Sequence, residues 1–153
     1  MSPLVGVVMG SISDGELIAP ALHILEEFEV SHEVNVVSAH RTAEKARSYA
    51  LAAEQRGIKV LIAAAGYSAH LPGVLASWTC LPIIGIPLPT SDMKGIDSLL
   101  SIVQMPGGVP VACTGIGKSG AKNAALLAIQ ILAVQDKRLE KAYKAYREDM
   151  AAQ

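Results

Sequence analysis

Five short apolar runs recur along the chain, at Leu4 to Met9, Val34 to Val37, Val60 to Ala65, Ile83 to Pro87 and Val109 to Cys113, and helix-length segments separate most of them. A strand that is apolar on both faces has no face left for water, so it belongs inside a sandwich of other elements. Regular alternation with helices makes the sheet parallel, because a parallel crossover needs a long connection and covers one face of the sheet on its way. The pattern predicts an α/β fold of three layers, with helices on both faces of a central parallel sheet.

Capping and breaking residues set the helix bounds. The first helix is expected from about Asp14 to Phe28, capped by Ser13 or Asp14, with Leu17, Ile18, Ala21, Leu22 and Leu25 at helical spacing. The second begins at Thr42 and ends at Arg56-Gly57. Leu71-Pro72-Gly73 opens a short third with proline in its first turn, and a fourth, about Asp97 to Gln104, is stopped by Met105-Pro106-Gly107-Gly108. Ser119 to Val134 is rich in alanine and leucine, yet it is too short and too interrupted by Lys122, Asn123 and Gln130 to cross a membrane. It reads as a helix buried in the core or between subunits. From Asp136 to about Ala151 a charged helix follows, with Leu139, Tyr143, Tyr146 and Met150 in one stripe that docks on its own domain or on a neighbour.

No linker or repeat divides the 153 residues, so one domain is expected over 1–153 with its core over about 4–134. Thirteen Lys and Arg against fourteen Asp and Glu, net charge −1, leave no basic footprint for a nucleic acid and favour a small-molecule partner. Cys80 and Cys113 are far apart and lack metal-type spacing, which fits a reducing compartment and reads both as core residues. The N-terminal run has no basic region before it and is too short for a secretory core, so a cytoplasmic location is expected. Hydrophobic residues make up 51% of the chain while aromatics make up only 4%. Doubly buried strands account for part of that excess and subunit interfaces for the rest, so a homo-oligomer is expected.

In open α/β sheets, ligands bind beyond the carboxyl ends of the strands. After the first strand comes Gly10-Ser11-Ile12-Ser13-Asp14, a tight turn with two hydroxyls at a helix N-terminus, where free N–H groups suit a phosphate. Asp14, as an acceptor of hydrogen bonds, is better suited to a sugar hydroxyl. A plain capped turn fits the same five residues equally well, and the three-glycine dinucleotide pattern is absent. After the second strand, Ser38-Ala39-His40-Arg41-Thr42 gathers an imidazole, a guanidinium and hydroxyls on one turn. Arg41 has the fork of donors that grips a phosphate, and His40 can exchange a proton at neutral pH. The bland alternative is a Thr42 cap, a surface ion pair for Arg41 and a packing role for His40. After the third strand, the small residues of Ala65-Gly66-Tyr67-Ser68-Ala69-His70-Leu71 let backbone approach a flat heterocycle, or simply turn the chain into a helix. The turn Pro87 to Ser91 and the loop Gly115 to Gly120, with Lys118, also lie beyond strand ends and either close the pocket or merely connect elements. His23, in the first helix, and His32, before the second strand, stand apart from these loops and are read as structural or surface residues.

Five runs, MGSISD (Met9 to Asp14), VSAHRT (Val37 to Thr42), SAHLPG (Ser68 to Gly73), DSLLSIVQMPGGVPVA (Asp97 to Ala112) and GAKNAALLA (Gly120 to Ala128), resemble the catalytic family of phosphoribosylaminoimidazole carboxylase, in that family's order and across nearly the whole chain. Arg41 together with His70-Leu71-Pro72-Gly73 resembles the family's N5-carboxyaminoimidazole ribonucleotide mutase branch, of bacterial type. The resemblance implies a flavodoxin-like fold in a homo-octamer, the C-terminal helix reaching a neighbouring subunit, and neither metal nor organic cofactor. It implies that Ser11, Ser13, Ser38 and Arg41 hold the substrate phosphate and Asp14 the ribose. Ala39 lies beside them, and the loop formed by Ala65, Gly66, Ser68, Ala69, His70 and Leu71 takes the aminoimidazole and carboxylate, with His40 as general acid/base. Tyr67-Ser68 and Lys118 depart from the mutase pattern, which has small residues such as glycine and alanine at the first of these. Two other functions fit the same residues: direct carboxylation by free CO2, and a non-catalytic flavodoxin-like module binding flavin mononucleotide or a phosphoribosyl ligand. Such a module has no need of His40.

Overall fold

The computed structural model describes residues 2–152, so Met1 and Gln153, the ends of the expected domain, lie outside it. The elements run β1 Val5–Met9, a 3-10 turn Ile12–Asp14, α1 Gly15–Glu27, β2 His32–Val36, α2 Ala43–Ala53, β3 Val60–Ala65, α3 Leu71–Ala76, β4 Ile83–Pro87, α4 Ile96–Val103, β5 Ala112–Cys113, α5 Lys118–Ala133 and α6 Lys137–Ala151. The five strands are all parallel, in the order β2-β1-β3-β4-β5. This is the flavodoxin-like doubly wound order, and its switch point lies between β1 and β3.

Strand periodicity explains why the runs are apolar throughout. Val5, Val7 and Met9 of β1 and Val60, Ile62 and Ala64 of β3 point into one core with Ile18, Leu25, Ala124, Ala128 and Ile129 from α1 and α5. The intervening residues Val8, Leu61, Ala63 and Ala65 point into a second core with Ala46, Ala50, Leu71, Leu75 and Ile102 from α2, α3 and α4. Each of these β1 and β3 residues therefore serves one of two separate interiors. Gly6 is small for a packing reason, since a Cβ there would lie 2.3 Å from Tyr49 Oη and 2.6 Å from Leu61 Cδ2. Tyr49 Oη donates to Glu33 Oε1 at 2.8 Å, and Arg56 pairs with Glu33 at the rim.

Several expected bounds move. The fifth strand contracts from Val109–Cys113 to Ala112–Cys113, because it is an edge strand and Pro110 has no N–H to give to a ladder. The second strand is β2, His32–Val36, so His32 opens it rather than preceding it. The second helix ends at Ala53, and single turns carry the chain on to Gly57 at φ +94°. Cys80 is exposed, so it is not the core residue expected, whereas Cys113 is half-buried and packs against the second core. Cys80 follows the short α3 in a turn at the surface.

In α5, Gly120, Ala121, Ala124, Ala125, Ala128 and Ile129 are buried, and the small glycine and alanines among them let the helix lie close along α1. Asp136 caps α6, accepting from the N–H groups of Arg138 and Leu139 at 2.9 and 3.2 Å. The α6 stripe divides: Leu139 is fully buried, Tyr143 and Tyr146 pack on the α1–α5 core, where Tyr146 meets Phe28 edge to face, and Met150 is exposed. Among the described residues no helix is long and apolar enough to cross a membrane.

Candidate active site

Beyond the carboxyl ends of β1, β2 and β3 the three loops enclose a cavity of about 570 Å³. The loop after β1 builds its own scaffold. Ser11 caps the 3-10 turn through a reciprocal box: its hydroxyl accepts from Ser13 N at 3.4 Å, and its backbone N–H donates to Asp14 Oδ2 at 3.1 Å. Asp14, one of the two residues expected to cap the first helix, occupies the N-cap position of α1, while Ser11 caps the 3-10 turn that starts the helical path one turn earlier than the apolar spacing shows. Ser11 and Ser13 hydroxyls lie 2.9 Å apart. Asp14 is only 7% exposed, and that burial raises its carboxyl above the usual range, against the opposing pull of the Ser11 N–H and the Arg41 charge.

The loop after β2 closes on itself. Thr42 occupies the N-cap position of α2, but its hydroxyl turns back to Ser38, accepting from Ser38 N at 2.9 Å and donating to Ser38 O at 3.1 Å. Ser38 Oγ accepts from Arg41 N at 3.1 Å. This ring of short bonds presents His40 at its apex and leaves the Arg41 side chain to cross to the first loop, where Nη2 donates to Gly10 O at 3.3 Å. Arg41 thus joins two loops, and among the described residues it makes no ion pair.

The loop after β3 is bent further than most side chains allow: Tyr67 and Ala69 both take left-handed backbone, at φ +53° and +41°. Gly66 lies against Thr90, which comes from the turn after β4. His70 caps the start of α3 and turns its ring toward the second loop. There His40 Nε2 and His70 Nδ1 are 2.6 Å apart, with the rings edge to face at 80°.

Ser11, Ser13, Asp14, Ser38, Ala39, His40, Arg41, Ala65, Gly66, Ser68, Ala69, His70 and Leu71, the candidates named from the sequence, all line this one cavity. Gly10, Tyr67 and Thr90 line it too. Thr90 had a signal, since it follows the carboxyl end of β4, but nothing in the sequence brings that turn onto Gly66. The Gly115 to Gly120 loop stays out of the cavity. Its Lys118 pairs with Glu16 at 2.9 Å, and it is pressed so close to α5 that a Cβ on Gly120 would lie 1.5 Å from Gly115 O. His23 is an exposed helix residue, and His32 Nδ1 lies 2.9 Å from Val30 O.

Chemically, hydroxyls and a guanidinium at two helix starts offer donors to an anion. A nearly buried carboxylate offers an acceptor to a diol, and two imidazoles in contact offer a site where a proton can be held and moved.

The sequence carries the same conclusion from outside the fold. Residues 4–153 match the family model described as AIR carboxylase. An N5-carboxyaminoimidazole ribonucleotide mutase of Pyrococcus abyssi is 55% identical over 148 residues, 97% of this chain and 84% of the relative. The mutase of Bacillus subtilis is 56% identical over 149 residues, covering 97% and 92%. The crystal structure of Treponema denticola PurE superposes with a TM-score of 0.86 at 32% identity, over 98% of this chain and 92% of that one. With a family match over nearly its full length, and relatives above half identity, this chain belongs to the AIR carboxylase family.

Proposed function

We propose that this chain is an N5-carboxyaminoimidazole ribonucleotide mutase, an enzyme of purine biosynthesis that moves a carboxyl group from N5 to carbon 4 of the imidazole. The relatives that carry that name share more than half its residues, and the observation that supports the chemistry is an imidazole, His40, held in a cavity whose other walls suit a phosphoribosyl group.

In this reading Ser11, Ser13, Ser38 and Arg41 donate to the substrate phosphate and Asp14 accepts from the ribose hydroxyls. Ala39 shapes the wall between them. The loop of Ala65, Gly66, Ser68, Ala69, His70 and Leu71 receives the aminoimidazole and carboxylate. The N5–carboxyl bond breaks, releasing CO2, and its electron pair returns to N5, which takes a proton from His40. Carbon 4 then attacks the CO2, and His40 removes the carbon-4 proton to restore the aromatic ring. Proton and carboxyl group have exchanged places, so the reaction balances as an isomerisation. Excluding water matters because CO2 that escapes is lost to the reaction.

The chain acts in the cytoplasm as one domain over 1–153, assembled as a homo-octamer in which α6 reaches a neighbouring subunit. Ile96, Leu100 and Val103, on one face of α4 and each about half exposed, support burial against another copy.

Turnover of freshly prepared N5-carboxyaminoimidazole ribonucleotide at low bicarbonate, by wild type and His40→Asn side by side, tests the reading. Product from wild type alone is the expected result. Activity only with aminoimidazole ribonucleotide and high bicarbonate would replace mutase by direct carboxylase, and ligand binding without turnover of either would end the enzyme reading.

A further inference from the structure

Two imidazole nitrogens 2.6 Å apart hold one hydrogen between them, since two lone pairs would repel and two N–H groups would clash. Among the described residues neither ring makes another hydrogen bond, and the other titratable side chains lining the cavity are Asp14, Arg41 and Tyr67. The shared proton has two placements. On His70 Nδ1 it requires both neutral rings to be Nδ1–H tautomers. On His40 Nε2 it makes both rings Nε2–H, the form an unconstrained neutral histidine side chain prefers.

We propose that His70 is a positioning residue whose Nδ1 accepts the Nε2–H of His40, fixing His40 in one tautomer and leaving its Nδ1 as the basic atom of that ring. The pairing stands on geometry alone, and its catalytic role rests on the carboxyl-transfer reading. A base that must take a proton from carbon is effective only when its lone pair is on the nitrogen that faces the carbon, so a ring free to exchange tautomers spends part of its time inactive. Each time His40 carries the extra proton on Nδ1, its Nε2–H bond to His70 becomes charge-assisted and stronger. Giving that proton to N5 and taking one from carbon 4 leaves the His40–His70 bond in place throughout. His70 occupies the N-cap position of α3 directly after the left-handed turn at Ala69, so backbone fixed by the helix start and by that turn aims its ring.

Nitrogen-15 NMR of histidine-labelled wild type should show both rings as Nε2–H tautomers, with a scalar coupling across the N–H···N bond. His70→Leu removes the acceptor; His40 should lose its Nε2–H preference and kcat should fall at least about 10-fold, within the range that general acid/base catalysis supplies. His70→Asn sets an amide oxygen where Nδ1 stood, and should keep His40 as Nε2–H and retain most of kcat. Nδ1–H signals in the wild type, no coupling between the rings, or a His70→Leu protein with unchanged His40 tautomer and kcat would each overturn the proposal. The wild-type spectrum decides the pairing even if His70→Leu does not fold. Pairing without turnover of any substrate would overturn the catalytic role together with the carboxyl-transfer reading, whereas turnover without pairing would overturn this proposal alone.

Discussion

Thr90 fills the space where a side chain on Gly66 would be: a Cβ there would lie 1.7 Å from Thr90 Oγ1 and 3.1 Å from Thr90 Cβ. Rotation of the hydroxyl relieves the first contact but not the second, so Gly66→Ala must push the β3–α3 loop away from the β4 turn. We expect kcat/KM to fall about 10-fold or more, a displacement effect on a positioned site. The double variant with Thr90→Gly, which removes the Cβ that rotation cannot move, should regain part of that loss. Additive losses in the double-mutant cycle would show that the two residues do not act through this contact.

Arg41 spans two loops with a single guanidinium. In Arg41→Lys the positive charge stays but the fork is lost, so KM for the phosphorylated substrate should rise by about 10-fold, roughly the 1.4 kcal/mol of one charge-assisted bond, with a smaller change in kcat. Steady-state kinetics over a range of substrate concentrations would check it. Unchanged KM would remove Arg41 from the phosphate site.

The Asp14 carboxyl lies above its ordinary range because it is buried. The native state therefore holds this proton to higher pH than the unfolded chain does, so the group's contribution to stability grows as pH falls through the raised value and its ionised form is a cost above it. Asp14→Asn should melt higher than wild type at neutral pH, and the gap should close on acidification to about pH 3, below the ordinary carboxylate range. The same variant should bind substrate more weakly. Equal or lower stability of Asp14→Asn at neutral pH would contradict the burial argument.

Overpacking at Gly6 is a stability test far from the cavity. Gly6→Ala forces a methyl group onto Tyr49 and Leu61, and should destabilise by about 1–3 kcal/mol, read from chemical unfolding. Tyr49→Phe removes the hydroxyl that the methyl would meet first and should restore part of the loss.

What could be read in advance follows from which interactions are local. The strands were visible because residues such as Val60 to Ala65 serve two cores at once and must be apolar without interruption. The three site loops were visible because a doubly wound sheet places them at strand ends. The fifth strand was overextended because Val109 and Val111 look β-forming, whereas only Ala112 and Cys113 find partners on β4, which local pattern does not show. The 3-10 turn capped by Ser11, ahead of the expected Asp14 cap of α1, was missed because a single such turn has no apolar periodicity to reveal it. Contacts between distant segments left no local trace: Thr90 with Gly66 and His40 with His70 each join loops that only the tertiary fold brings together.

Every residue that lines the cavity lies at or before Thr90, yet the core beneath β1 and β3 is completed by α5, which begins at Lys118. During synthesis the groups that would meet substrate leave the ribosome well before the helix that holds their platform still. An N-terminal fragment ending near Thr90 would own every cavity-lining group and most of the second core, but would lack the helix that covers the other face of β1 and β3.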